Sequence, residues 1–455
     1  MNKRIFLLLS VAVVVLAFAV REWYLLASTV KFAVMGDGVD YMRYAYNLVH
    51  HGMFSRVGPT EVPYPDAYRG PGYPLLLAVS MSVWREAGPW VHAVQQAQAL
   101  LGAGTVALVI ALGRQWMGRG AALVAGLLIA FWPHHVVATQ AVLSEVLFGF
   151  VIVLSLLLSW IALKRQSIGW GAWAGAAFAY GYLVNPLIAL LPILLLAVFW
   201  RAKLPKVGAM MIWVVLLVVG LWTMRPSEPS ESRAIVNAVQ GSLPNYHLAW
   251  HYKGTIPGAA KEYKEIDHEV GIALEDPNKG FARAIARMEA EPARYLRWYA
   301  YQKAYALWDW NVMIGAGGIY VIETYDSPFE HALAPVKELY RIANLPLFLL
   351  ALIAAFMSLF RSDASRFAGI AFLYLTLVHV VFQAEPRYAI AYRPVEVMLS
   401  VALLSWLLQA YKRRSKGHVF HHAPSRHDGG ADIARNLRPL QAQGSGRGRR
   451  DDDFK

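Results

Sequence analysis

The chain has 455 residues, of which 57% are hydrophobic and 16% charged, with a net charge of +13 and no cysteine. A soluble chain carries about 25% charge, and here the deficit falls in apolar blocks, so much of the protein is built for lipid. The lack of cysteine excludes disulfides, thiol nucleophiles and cysteine-held zinc, and the lack of a Gly-x-x-x-x-Gly-Lys sequence argues against ATP-driven work.

Lys3 and Arg4 precede an apolar run with no small-residue cleavage site after it. It is expected to be a retained first span with a cytoplasmic N-terminus. The chain then leaves the bilayer at "MGDGVDYMRYAYNLVHHG", residues 35–52, with Asp37 and Asp40 ahead of an aromatic, helix-like run. Asp37 fits an N-cap, with Asp40 at N3 where the helix dipole favours an acid. Two acids at a membrane boundary also fit a reactive site. "YPDAYRGPGYPLLLA", residues 64–78, follows. Gly70, Pro71, Gly72 and Pro74 force a turn that Arg69 enters. Arginine's planar fork suits phosphate, and the plainer role for Arg69 is snorkelling to the interface. Residues 74–84 are too short to cross comfortably, which predicts an interfacial or re-entrant helix, with an extra span as the alternative.

A span near 92–113 returns the chain to Arg114 and Arg119. A hairpin from about 121 to 163 comes back to Lys164 and Arg165. It carries His134 and His135, expected as interfacial residues because adjacent histidines do not chelate from one helical face. It also carries Glu145, about one turn into a span from its outer end. The next hairpin turns at Asn185-Pro186 and returns to Arg201, Lys203 and Lys206, and residues 207–224 cross outward. The long region from 225 to 340 holds 15 acidic and 12 basic residues. Within it, residues 291–310 alternate aromatic and cationic side chains at helical spacing, as expected of a helix lying on the membrane surface. Residues 344–360 lead back to Arg361 and Arg366, and a last hairpin turns at "QAEPRYAIAYR" and ends at Lys412, Arg413 and Arg414. Every short loop assigned to the inside is basic, which gives about ten spans with both termini cytoplasmic. The tail from 411 to 455, with 11 Lys/Arg and 5 Asp/Glu, reads as a disordered anchor near anionic lipid and not as a nucleic-acid arm.

An ionisable group at mid-bilayer costs about 2.5–3.5 kcal/mol on insertion scales. Outside the loops and tails the acids are Glu145, Glu385 and Glu396. Glu145, Glu385, Asp37 and Asp40 fall at one depth, the outer boundary. Each has a plain reading: a cap or a snorkelling group for Glu145, an ion pair between helix ends for Glu385 and Arg387. Acids and arginines with lipid on one side and water on the other suit transfer from a phosphate-bearing lipid to an acceptor outside. A carboxylate would take the acceptor hydroxyl's proton, and cations would stabilise the departing phosphate. A polytopic transporter or lipid flippase is the alternative class, disfavoured because the acids lie at one face and no inverted repeat with paired broken spans is evident. A non-enzymatic assembly or export subunit is the third.

"GDGVDYMRYAYNLVHHG", "YRGPGYPLLLA", "LSEVLFGF" and "AEPRYAIAYRPVEVML" resemble, in that order, words of the GT-C-fold glycosyltransferases. The likeness is to the dolichyl-phosphate-mannose protein mannosyltransferase and aminoarabinose transferase-like superfamily, over roughly residues 1–410. It implies an all-α polytopic membrane protein of about ten transmembrane helices, with interfacial helices in the first outer loop and a small extracytoplasmic helical region. It implies an inverting transfer from a polyprenyl-phosphate sugar to a lipid, glycan or protein acceptor at the inner (plasma) membrane. The first-loop catalytic acid corresponds to Asp37 or to Asp40. Arg69 and the prolines after it match the turn near the lipid phosphate, with Tyr73 in the same word. Glu385, Arg387 and Tyr388 match the late Glu-Arg-Tyr word, and they join Arg69, Tyr73 and Glu145 as expected substrate-binding residues. No protein metal ligand is expected and no cofactor is required, with a divalent metal left open. The expected organisation is a transmembrane module at 1–224 with its catalytic outer loop at 22–88, an extracytoplasmic region at 225–340, C-terminal helices at 341–411 and the tail at 412–455.

Overall fold

The computed structural model describes residues 1–228, 231–312 and 318–420. The chain opens with α1 (Lys3–Ala27), followed by α2 (Asp37–His51), α3 (Gly72–Val83), α4 (Ala87–Gly113), α5 (Arg119–Ala130) and α6 (Pro133–Val137). Next come α7 (Glu145–Arg165), α8 (Ile168–Val184), α9 (Leu191–Arg201) and α10 (Pro205–Thr223). A run of shorter helices follows: α11 (Arg233–Ser242), α12 (Tyr246–Tyr252), α13 (Pro257–Glu275), α14 (Pro277–Ala290), α15 (Pro292–Arg297) and α16 (Lys303–Trp308). The chain returns through α17 (Ala334–Ser358), α18 (Ser365–Val381), α19 (Pro386–Ala389) and α20 (Arg393–Phe420). Residues 1–408 form one compact unit, and from Gln409 the continuation of α20 belongs to a second. The expected tail is thus helical as far as Phe420, and its remainder, residues 421–455, lies outside the described residues.

Among the described residues, six helices are long and apolar enough to cross a membrane: α1, α4, α7, α10, α17 and the stretch Pro386–Lys412, which contains most of α20. A seventh candidate is the pair Arg119–Ala130 and Pro133–Gln140, bent by 56°. The bend falls at Pro133, which has no N–H to continue the α5 ladder. The three remaining positions expected to span are held by α8, α9 and α18, of 17, 11 and 17 residues. The protein is therefore an all-α, multi-pass membrane protein. A ribbon of two short strands, β1 (Thr29–Val30) and β2 (Thr324–Asp326), joins the segment after α1 to the one before α17.

Close approach of backbones sets the packing of the bundle. At Gly171 and Gly175 of α8 an added Cβ would lie 2.6 and 2.4 Å from the carbonyl oxygens of Val207 and Met211 on α10. This small-residue spacing lets two helices pack with little side chain between them. Glu396 pairs with Arg393 at 2.9 Å, both buried, and Arg393 also donates to the carbonyls of Trp308 and Asp309 at 3.2 and 2.9 Å. That buried ion pair fastens α20 to the end of α16.

One expectation gains detail here and another changes. Residues 292–308, within the stretch expected on the membrane surface, are docked against the bundle along one face. Lys303 is fully buried, donates to the carbonyls of Val381 and Phe382, and lies 4.8 Å over the Tyr299 ring, so it closes the C-terminal end of α18. Leu296, Tyr301 and Tyr305 remain exposed on the other face. His134 and His135 are not interfacial but buried, with His134 Nε2 donating to the Trp310 carbonyl at 2.7 Å.

Candidate active site

The site lies where several helices begin or end. Gly36, with φ of 52°, takes the N-cap position of α2 and no side chain caps the helix. This corrects the expected capping pattern, because Asp37 is then the first helical residue and Asp40 the fourth. Both acids still gain from the dipole of the first turn, but their oxygens are turned to arginines. Glu145 likewise is the first residue of α7, after Ser144, and not one turn inside it.

Arg69 is brought in by the turn before α3. A Cβ at Gly70 would lie 2.2 Å from the Leu183 carbonyl oxygen, so only glycine lets this turn rest on the end of α8. Buried Asp66 fixes the loop from behind. It accepts from the Tyr44 hydroxyl and from the backbone N–H groups of Arg56 and Tyr68, at 2.7 and 3.1 Å for the last two. The Tyr44 hydroxyl accepts in turn from the Arg69 N–H at 3.3 Å. Arg387 enters from α19, between the last two long helices.

Asp37 sits between these two arginines. Arg69 Nη2 donates to Asp37 Oδ1 at 2.6 Å, and Arg387 Nη2 to Asp37 Oδ2 at 2.8 Å. Arg69 also holds Asp40 Oδ2, through Nη2 at 2.9 Å and Nε at 3.2 Å. Arg387 Nε lies 3.4 Å from Glu145 Oε1 and 3.7 Å from Glu385 Oε2. Burial alone would raise the Asp37 pKa, but Arg387, Arg69 and Arg233 outweigh it and hold the carboxyl well below the usual range. Asp37 is therefore fully ionised at neutral pH and, while so clamped, a weak base.

These groups surround a cavity of about 50 Å³. At roughly 10–15 Å³ per water, it holds only a few waters. Asp37, Arg69, Glu145, Arg387 and Tyr388 line it, together with Tyr41, Ser144, Asn185, Arg233 and Tyr392. Three other expected residues stand back from it. Asp40 reaches the site only through Arg69, and Glu385 is buried beside Arg387. Tyr73 is buried too; its hydroxyl donates to Gln98 Oε1 at 2.9 Å and its ring packs against Tyr41 at 5.0 Å. Tyr73 thus supports Tyr41 and does not line this cavity.

Arg233, at the start of α11, was not anticipated. It lies 5.4 Å over the Tyr68 ring, and among the described residues it has no carboxylate in ion-pair range. Three arginines and two acids line the cavity, so it favours an anion. Tyr388 ties it to α11: its hydroxyl donates to Gln383 Oε1 at 2.7 Å, and Gln383 Nε2 donates to Gln240 Oε1 at 3.0 Å. The acids are held by guanidinium groups, and among the described residues no group of three His, Asp or Glu could hold an ion.

Residues 68–227 match the family described as dolichyl-phosphate-mannose-protein mannosyltransferase. The stretch includes Arg69, Glu145 and the Asn185 turn, and excludes Asp37 and Arg387. No curated protein matches the chain. Among solved structures, it is similar to the oligosaccharyltransferase AglB from Archaeoglobus fulgidus in complex with an inhibitory peptide and a dolichol-phosphate. That match has a TM-score of 0.50 and 16% identity, covering 92% of this chain and 52% of that one. The apo form of the Archaeoglobus fulgidus oligosaccharyltransferase gives a TM-score of 0.51 at 14% identity, covering 93% and 53%. ArnT from Cupriavidus metallidurans bound to undecaprenyl phosphate gives 0.36 at 14% identity, covering 94% and 82%. The chain spans about half the length of the oligosaccharyltransferase it matches. It has the GT-C fold.

Proposed function

We propose that this protein is a membrane glycosyltransferase that moves a sugar from a polyprenyl-phosphate donor to an acceptor on the extracytoplasmic side, with inversion. The observation that carries the reading is convergence: Asp37, Arg69, Glu145, Arg233 and Arg387 come from five separate segments to one anion-favouring cavity. The family matched over residues 68–227, and the dolichol-phosphate bound by the oligosaccharyltransferase of the same fold, support a lipid-phosphate donor.

Asp37 lines the cavity and Asp40 does not, which supports Asp37 as the base. The donor phosphate competes with Asp37 for Arg69 and Arg387, and Arg233 is ready to meet it first. As the two guanidinium groups turn toward the phosphate, Asp37 loses its counter-charges and its proton affinity rises. It then takes the proton of the acceptor hydroxyl as that oxygen attacks the anomeric carbon. The bond from that carbon to the phosphate oxygen breaks, and the polyprenyl phosphate leaves with its new charge held by the arginines. Attack opposite the leaving group inverts the anomeric centre. Glu145 and Tyr388 are placed to hold sugar hydroxyls, and Asp40 holds Arg69.

The site lies at the end of α7 opposite Lys164 and Arg165, the end that basic loops leave to the outside. Both termini are then cytoplasmic and the membrane is the inner, or plasma, membrane. The acceptor is a lipid, a glycan or a protein. Mass spectrometry of lipid-linked sugars and envelope glycans in a deletion strain tests the reading. One polyprenyl-phosphate sugar should accumulate and one glycan should lose a residue; unchanged pools of both would overturn it.

A further inference from the structure

The end of the bundle away from the active site holds a second cavity, of about 250 Å³. It is built by the end of α7 with Leu163, the end of α9 with Val198 and Arg201, and the turn into α18 with Ser362, Arg366 and Phe367. Asp363 is the acid in its lining, and it is already used. It accepts from Arg361 Nε and Nη2 at 2.9 and 2.7 Å and from the Ser365 N–H at 3.0 Å. The two other arginines, Arg201 and Arg366, have no carboxylate in ion-pair range among the described residues. Arg366 Nε is buried and without a hydrogen-bond partner. A buried guanidinium N–H without an acceptor is costly and indicates a missing oxygen.

We infer that this cavity binds the phosphate headgroup of an anionic phospholipid from the leaflet opposite the active site. Arg201 and Arg366 supply the charge and the donors for a phosphate, for which guanidinium forks are suited. Leu163, Val198 and Phe367 supply an apolar wall for the glycerol and first acyl carbons. Trp200 and Phe360, 71% and 89% exposed, flank the cavity lining in sequence, and in a membrane chain such exposed side chains face lipid. Lys164 and Arg165 in the last turn of α7, Lys203 between α9 and α10, and Lys206 in the first turn of α10 lie at the same end and draw anionic lipid to it. A free phosphate ion would use the arginines but not the apolar wall. The lipid would bridge α7, α9 and α18, and the inference is independent of the sugar-transfer chemistry.

The test uses the full-length protein purified in detergent, with native mass spectrometry of bound phosphatidylglycerol and phosphatidylcholine. The tightest-bound phosphatidylglycerol is expected to be retained at least about fivefold over phosphatidylcholine, and inorganic phosphate at millimolar concentration is expected neither to displace it nor to raise the unfolding temperature. Arg201→Glu combined with Arg366→Gln should weaken that first phosphatidylglycerol about tenfold or more, with the lipid-free unfolding temperature unchanged. Arg201 is an exposed side chain, so Arg201→Glu alone carries the test if the double variant unfolds. Equal retention of the two lipids, or wild-type retention of phosphatidylglycerol by the variant, would overturn the inference. Stabilisation by inorganic phosphate that matches the lipid's would overturn it as well, by making a soluble anion the occupant.

Discussion

At the scale of single residues, the account turns on a clamped carboxylate. Asp37→Asn removes both the base and one partner of two arginines, and should cut transfer by on the order of 10²–10⁴-fold, the usual worth of a positioned general base. Asp40→Asn should cost less, about tenfold, as expected for one charge-assisted hydrogen-bonded pair of about 1.5 kcal/mol. Single-turnover assays of both variants would show the order of the two losses. The same clamp fixes a pH dependence of stability. The folded pKa of Asp37 is depressed, so its contribution is complete above the unfolded value, near 3.9, and fades as pH falls toward the folded one. Asp37→Asn should therefore flatten the acid side of a thermal-unfolding profile while leaving its slope at neutral pH unchanged. Asp37, Arg69, Glu145, Arg387 and Tyr388 were legible in the sequence because charged and tyrosyl groups stand out at the edges of apolar blocks. Arg233 and Asp66 were not, since a polar side chain in a polar stretch gives no such contrast, and Gln383 was not, since an uncharged amide just past the apolar α18 carries no charge to mark it.

At the scale of elements, backbone contacts aim the side chains. Gly70 keeps the Arg69 turn on the end of α8, and Gly70→Ala brings a methyl group to 2.2 Å from the Leu183 carbonyl oxygen. The turn must move, and because a displacement of about 1 Å can cost 10²-fold, transfer should fall at least tenfold while insertion and yield stay near wild type. Measurement of kcat and KM together checks this, since a displaced Arg69 weakens donor binding as well as turnover. The helix pattern of the sequence located the long spans, and a turn at Gly70–Pro71 was read from its residue types, but Gly72 and Pro74, expected in the same turn, fall in the first turn of α3. The bend at Pro133 and the docking of α15 and α16 were missed. Aromatic and cationic residues alternate on a docked helix as they do on a surface one, and only the buried Lys303 at the carbonyls of Val381 and Phe382 tells the two apart.

Across the whole molecule, the basic loops and the active site divide the two ends of the bundle, as the charge asymmetry of the sequence requires. The chain has no cysteine, so single-cysteine accessibility has no background to subtract. Glu61→Cys, in the exposed loop before α3, should react with an impermeant thiol reagent on intact cells, and Lys203→Cys only after permeabilisation; the reverse pattern would place the site on the cytoplasmic side. The other global consequence is that a cavity of about 50 Å³ must widen before a donor enters, and the proposed opening is the exchange of Asp37 for phosphate on Arg69 and Arg387. The most direct test is release of polyprenyl phosphate by the purified protein in nanodiscs, offered a panel of synthetic polyprenyl-phosphate hexoses and pentoses with an envelope extract as acceptor. Wild type should release polyprenyl phosphate from at least one donor, and Asp37→Asn, less stable than wild type at neutral pH but still folded at the assay temperature, should not. Equal release by wild type and Asp37→Asn would contradict the account.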